Sequence, residues 1–387
     1  MRSILPPQDG ETYDEFYAHA DLDVKKEMDK IKNEVWKKTL TITYKETIQK
    51  ELDIAKKHHL LIIACAKIFA DTSLSEKTGY QFYFTEPLIE LSSQRKNNRI
   101  FDLIIANESD CSAIFIECKS SDSDAKETIK QISSARDLVI ENLEYLSKKL
   151  GFPLEKENIE YVYCVFYDHS QGILNSLIAR STRPNTNHDT IANELILWEY
   201  LPGAQEIRLY SEHQHNNSQL TEMLQKRYGD KDLANQFDLP YYLNLHPFLI
   251  INDIIIGYCY TENYQNERIT EKKVISKNQF FKHLVENAYF GLNPEETKKI
   301  LKEKMEYLIE FGVRCDLFEI IDEDHIKIKC PGLKPRVVIE NIREKFITNW
   351  SDCKAEERAK IETLNDIKRK LAKQFPTLED FDNAKNN

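Results

Sequence analysis

Asp102, followed after fourteen intervening residues by Glu117-Cys118-Lys119, is the arrangement in this 387-residue chain best suited to chemistry. Glu-x-Lys alone carries little information, since it occurs at Glu117, Glu271 and Glu296. Only the first follows an apolar run, Ala113-Ile114-Phe115-Ile116, where a charge is unexpected. Only that one is also joined by a short turn to a second apolar run that itself carries an acid. With the turn centred between Glu108 and Ser109, Asp102 lies opposite Phe115. Alternation then puts Asp102, Phe115, Glu117 and Lys119 on one face. The two acids become diagonal neighbours roughly 7–8 Å apart, within reach of one cation. An odd-length turn would send Asp102 to the other face.

Two carboxylates and a lysine at the edge of an apolar sheet are costly to bury without compensation. A hard divalent ion, Mg²⁺ (or Mn²⁺), supplies it, taking oxygen ligands and leaving room for waters and a substrate phosphate. Such an ion polarises a phosphoryl oxygen and lowers the pKa of a bound water. The lysine orients that water or neutralises charge developing at phosphorus. The chemistry implied is phosphodiester hydrolysis. The competing reading makes Asp102 a turn residue at a strand start and Glu117 with Lys119 a solvated ion pair.

The elements that must hold these residues follow from periodicity. Residues 11–42 read as one or two amphipathic surface helices. Residues 45–70 form a longer helix, apolar all round at 60–66 and so buried in its second half. Residues 80–91, 99–106 and 111–119 are strand-like, the first interrupted at Pro87 and the last two joined as a hairpin. A helix then carries Ile129, Ile132, Ala135, Val139, Leu143, Leu146 and Leu150 at spacings of three or four and stops at Gly151-Phe152-Pro153. Residues 159–167, 196–200 and 206–210 are further strands. Residues 211–270 hold a short helix near 219–228 and an apolar stretch at 248–260. Helices at 277–290 and from Pro294 to Gly312, then strands at 317–321 and 326–330, suggest a winged-helix module. A charged helical tail follows from Pro335. The expected organisation is a helical extension at 1–44, an α/β domain at 45–210 that carries the acidic motif, a connecting region at 211–270, a winged-helix-like domain at 271–333 and a helical tail at 334–387.

Composition narrows the function classes. There are 53 Lys plus Arg against 64 Asp plus Glu, a net charge of −11. Residues 269–387 are nearly balanced, so the acidic excess lies earlier in the chain. An acidic total disfavours nucleic-acid binding without excluding it, because local basic surface and metal ions decide contact with phosphate. The longest apolar run, residues 60–65, falls far short of the roughly 20 residues a membrane span needs, and the first residues lack the apolar stretch of a signal peptide. The expectation is a cytoplasmic protein with no membrane association. Eight scattered cysteines without a Cys-x-x-Cys pair read as reduced thiols. No Gly-x-Gly-x-x-Gly, Walker loop or Gly-x-Ser-x-Gly elbow occurs.

At residues 45–167 the element order and the acidic motif resemble the PD-(D/E)xK nuclease superfamily, in particular the type II restriction endonucleases. The resemblance implies a restriction-endonuclease-like core, helix–three strands–helix–strand, its mixed sheet flanked by helices. It implies that Asp102, Glu117 and Lys119 bind Mg²⁺ and activate water, with the backbone carbonyl of Cys118 as a further metal ligand. It also implies an acid on the first helix, Glu51 rather than Glu46. Phe101 stands where the proline that names the motif is found. Gln131 is followed four residues later by Ala135, unlike a subgroup with tyrosine there. The function implied is a Mg²⁺-dependent endonuclease on double-stranded DNA, acting as a homodimer in prokaryotic restriction or defence. The alternatives are a repair or junction-cleaving nuclease, and a non-catalytic DNA-binding or scaffold protein with a nuclease-like core.

Other side chains are weighed beside these. Arg95 and Lys96, in the amide-rich segment 92–98, are suited to a DNA backbone or to a solvated turn. His213-Gln214-His215 reads as a mobile loop before a metal site, and Asp168-His169 as a strand-end turn. Lys56, Lys57, His58 and His59 read as a helix face, with phosphate contact as the functional option. On the second helix of the winged-helix candidate, Lys298, Lys299, Lys302 and Lys304 alternate with glutamates, a solvated face or a DNA or protein contact. The apolar stripe from Ile361 to Phe375 suits a dimer contact or packing on its own domain.

Overall fold

The apolar runs flanking the acidic motif pair near the middle of a mixed six-stranded sheet in the computed structural model. The structure describes residues 10–39, 42–70, 73–86, 101–120, 125–181, 194–210, 213–228, 241–242, 244–260, 274–288, 294–329 and 335–374. β1 (Gln81–Thr85), β2 (Leu103–Asn107) and β3 (Ser112–Lys119) form an antiparallel meander. β4 (Ile159–Phe166) and β5 (Leu195–Leu201) add parallel to β3, and β6 (Glu206–Leu209) closes the edge antiparallel. The chain divides into two units. Asp53–Ile254 with Ser276–Leu308 contains this sheet; Met1–Leu52, Ile255–Ile275 and Ile309–Asn387 make up the other.

In the sheet unit, β4 is buried along its whole length and β3 from Ala113 to Cys118, because helices cover both faces. On one face Ile104, Ala106, Phe115, Tyr161 and Leu197 join a core with α5 (Ala125–Glu141) and α7 (Tyr167–Ser181). On the other, α3 (Ile42–Lys67) brings Cys65 to 3.5 Å from Cys164, and Phe69, just past its end, stacks on Trp198 with ring centroids 6.0 Å apart. Leu61, Ile62, Cys65 and Ala66 are fully buried, as their all-round apolar character requires.

Local chemistry moves some boundaries. The helix expected to run unbroken to Leu150 splits at Asn142 into α5 and α6 (Leu143–Leu150), and α6 closes on Gly151 in the left-handed conformation, φ +89°. Asp168 and His169 open α7 rather than forming a strand-end turn; an acid in the first turn favours the helix N-terminus. Residues Ser218–Gln225 form α8, and Pro247–Tyr260 form an apolar helix, α9. α4 (Ser73–Thr78) lies before the sheet in sequence.

In the other unit α1 (Tyr13–His19) and α2 (Leu22–Thr39) pack on α12 (Pro335–Gln374), with Phe16, Met28, Leu364 and Ile367 at the contact. Leu364 and Ile367, part of the expected apolar stripe, thus pack within their own unit. β8 (Phe318–Ile320) and β9 (His325–Ile328) form the expected hairpin, and β7 (Val274–Ser276) joins in the order β7-β9-β8. α10 (Lys277–Glu286), which belongs to the sheet unit, starts on a capping box between Ser276 and Gln279. α11 (Pro294–Arg314) continues past Gly312, its expected terminus, and that glycine has a packing role: a Cβ there would sit 2.2 Å from the Phe318 ring. Among the described residues no helix is long and apolar enough to cross a membrane.

Candidate functional site

Glu117 and Lys119 stand two residues apart near the C-terminal end of β3, so alternation directs both to the α5 face. The Lys119 Nζ lies 2.7 Å from Glu117 Oε1. Glu117 is buried while the Lys119 side chain keeps 30% of its exposure, so this is not a solvated surface pair. Both line a cleft of about 480 Å³ walled by Glu127, Lys130, Gln131 and Ser134 of α5. Ile132, Ala135 and Leu138 of the same helix complete its lining, so polar and apolar groups share the cleft.

Asp102 joins this group by a different route from the one expected. The turn is even-numbered, residues 108–111, so Asn107 pairs with Ser112 and Ile104 with Phe115. Its centre is one residue later than expected, which brings Asp102 level with Glu117 instead of Phe115. The ladder stops at Leu103–Ile116, and beyond it the Asp102 N–H donates to the Ile116 carbonyl at 3.0 Å. Phe101 packs against Phe115 and Tyr161 on the α5 face, with centroids 5.4 and 5.7 Å away. Asp102 therefore leaves that face, and the single face expected for all four residues does not form. Its Oδ2 instead accepts the backbone N–H of Cys118 at 2.6 Å and lies 3.3 Å from Nε2 of His58 on α3. In an extended strand the N–H and C=O of one residue leave by the same edge. The Cys118 carbonyl and the Asp102 carboxylate consequently lie on one side of β3.

Two residues that support Asp102 were not singled out for that role from sequence. His58 was assigned to a helix face with phosphate contact as its functional option; it touches Asp102, and Tyr242 packs edge-on to its ring at 6.2 Å. Glu46 and Glu51 are exposed on the same helix. Glu86, buried just past β1 with φ +41°, donates its N–H to the Asp102 carbonyl at 2.7 Å. Its carboxylate accepts the backbone and side-chain N–H groups of Asn244 at 2.9 and 3.0 Å. A positive φ on a buried acid tied to Asp102 is strain that the surrounding bonds must hold in place. No sequence pattern links Glu86 to a partner 158 positions away.

The remaining candidates separate clearly. Arg95 and Lys96 lie outside the described residues. His215 is not in a mobile loop: it is buried, its Nδ1 2.6 Å from Glu160, and its Nε2 accepts the Trp198 indole N–H at 2.9 Å. Those bonds satisfy both ring nitrogens. His213 is exposed beside it. Lys304 is half-buried rather than on a solvated face; burial pushes its pKa down, opposed by Glu86. Lys298, Lys299 and Lys302 are exposed.

No protein family model matches the chain, and no solved structure matches it. A protein of Archaeoglobus fulgidus described as uncharacterized is 23% identical over 335 residues, which cover 83% of this chain and 90% of that one.

Proposed function

We propose that the chain is a Mg²⁺-dependent endonuclease, also served by Mn²⁺, that hydrolyses phosphodiester bonds of double-stranded DNA in the manner of the PD-(D/E)xK nucleases. A role in restriction or defence follows from that resemblance. One observation carries the reading: at the end of β3 Lys119 and buried Glu117 line a polar cleft, and the buried carboxylate of Asp102 is held against the backbone of Cys118 between them. Uncompensated acids are rarely buried, and a hard cation suits this oxygen-rich donor set.

Asp102, Glu117 and the Cys118 carbonyl are the groups that would hold the ion. A bound Mg²⁺ polarises a phosphoryl oxygen and makes an attacking water more acidic. Lys119 provides positive charge where negative charge accumulates at phosphorus. It also fixes the Glu117 carboxylate, which is placed to take up the proton from water. Lys130, Gln131 and Ser134 on the cleft wall offer a cation and hydrogen-bonding groups for the sugar–phosphate backbone. His58 and the Cys118 N–H hold Asp102 in one orientation.

A second reading, a non-catalytic protein with a nuclease-like core, has its own support: Glu117 pairs with Lys119, and Asp102 already has the Cys118 N–H. Cleavage of mixed plasmid and genomic DNA with Mg²⁺ or EDTA separates the two. Glu117→Ala and Lys119→Ala should each lower Mg²⁺-dependent cleavage by about 10²–10³-fold with the far-UV spectrum retained. Loss of the fold in Lys119→Ala, or Mg²⁺ binding by calorimetry that ignores Glu117→Ala, would favour the second reading.

A further inference from the structure

We infer that Cys65, Cys118 and Cys164 form a three-sulfur site for a soft, low-coordinate metal ion of the monovalent copper kind. The three come from α3, β3 and β4, and the parallel register of β3 and β4 sets Cys118 beside Cys164. Cys65 reaches them from the helix on that face, its Sγ 3.5 Å from that of Cys164. All three Sγ atoms lie within 4.8 Å of one another. A metal bound to three sulfurs at about 2.3 Å requires sulfur separations of roughly 3.8–4.0 Å. One separation is 3.5 Å and none exceeds 4.8 Å, so small side-chain rotations suffice to reach that spacing.

The identity of the ion follows from what the cluster provides and what it lacks. All three thiols are free and fully buried. Thiolate sulfur selects soft ions such as Cu(I) and Zn²⁺ over hard ones. Structural zinc takes four ligands, and among the described residues no histidine or carboxylate completes the group. Full burial leaves no exposed sulfur to share with a bound water. A three-coordinate ion meets these conditions. Thiol protons pass to solvent as the metal–sulfur bonds form; the copper stays cuprous, so no electron is transferred.

The sulfur cluster meets the proposed nuclease centre at residue 118, whose thiol belongs to the cluster and whose backbone belongs to that centre, but the inference does not rest on that reading. Alternation turns the Cys118 thiol towards α3, while Glu117 and Lys119 face α5. One strand thus offers soft donors on one side and hard donors on the other.

The test is anaerobic titration of the reduced full-length chain with Cu(I) against bicinchoninate, followed by X-ray absorption on the loaded protein. One copper per chain should survive the chelator, in a sulfur-only shell of three. Cys65→Ala and Cys164→Ala should each weaken retention at least tenfold, while Cys111→Ala and Cys353→Ala leave it unchanged. Complete stripping of copper from the unaltered chain, a shell containing nitrogen or oxygen, or preferential retention of zinc would overturn the assignment. Should an alanine variant fail to fold by circular dichroism, the absorption shell of the unaltered protein decides alone.

Discussion

Asp102 is fully buried, held by the Cys118 N–H at 2.6 Å and by His58. Its charge and its hydrogen-bonding oxygen therefore do different work, and two substitutions separate them. Asp102→Asn keeps an acceptor for the Cys118 N–H but loses the charge; Asp102→Ala loses both. Mg²⁺ binding and cleavage should vanish in both, whereas urea unfolding should find the alanine variant weaker by about 1–3 kcal/mol, the cost of an orphaned buried donor. Equal stability of the two would mean that the bond to Cys118 contributes nothing. Two other groups, buried His59 and half-buried His246, make the fold sensitive to acid. His59 is pushed from 6.5 down to about 4 by burial and then by His58, with Asp253 opposing, and His246 likewise by burial and then by Lys304. As pH falls below about 6.5 the unfolded chain takes up these protons while the folded chain resists until about 4. Their contribution to stability is full above 6.5 and is lost progressively across that window, at up to about 1.4 kcal/mol per pH unit for each histidine. Urea midpoints at pH 7.5 and pH 5 should show a smaller acid loss for His59→Gln than for the unaltered chain.

At the scale of elements, Gly312 is a residue whose meaning depends on what packs beside it. Read in sequence it marks the end of a helix; in the fold α11 passes through it, and the Phe318 ring occupies the space a Cβ would need. Gly312→Ala should therefore destabilise that unit by about 1–3 kcal/mol despite alanine's better helix propensity. Adding Phe318→Leu should recover part of the loss in thermal melts; a melting temperature unchanged by Gly312→Ala would show that the ring moves aside freely. The same contrast runs through the chain. Alternation in residues 103–107 and 112–119 gave the hairpin and the α5-facing positions of Glu117 and Lys119, since those features are local. It could not give the course of Asp102 beyond Leu103, because the end of a ladder is set by packing of Phe101 against Phe115 and Tyr161. α7 was hidden for a related reason: the helix follows β4 without a loop, and its inward face shows only through Ile173 and Leu177. His58, Glu86 and the walls of α5 joined the site through contacts between segments far apart in sequence, which no local period records.

The whole molecule bears a net charge of −11, so the proposed association with DNA would have to overcome a repulsive average field through local cations. Each phosphate neutralised by such a cation releases counterions, and binding should weaken as salt rises with a logarithmic slope of about −0.9 per contact. The chain also has one Asp102/Glu117/Lys119 set, and on the proposed function one set would hydrolyse one strand in one binding event. Breaking both strands then requires a second chain at the same locus or a second encounter with nicked DNA. These routes differ in concentration dependence. If two chains act together, the initial rate of linear plasmid formation should rise with the square of chain concentration until the dimer is saturated, and little nicked circle should accumulate at high concentration. If single chains act in turn, nicked circle should precede linear product at every concentration and each step should stay first order in protein. Plasmid time courses over a hundredfold range of concentration, beside sedimentation of the chain with and without duplex, distinguish them. Quadratic kinetics with a sedimenting dimer on DNA would support the homodimer. First-order kinetics with a monomer throughout would remove it while leaving the proposed single-strand chemistry of Glu117 and Lys119 standing.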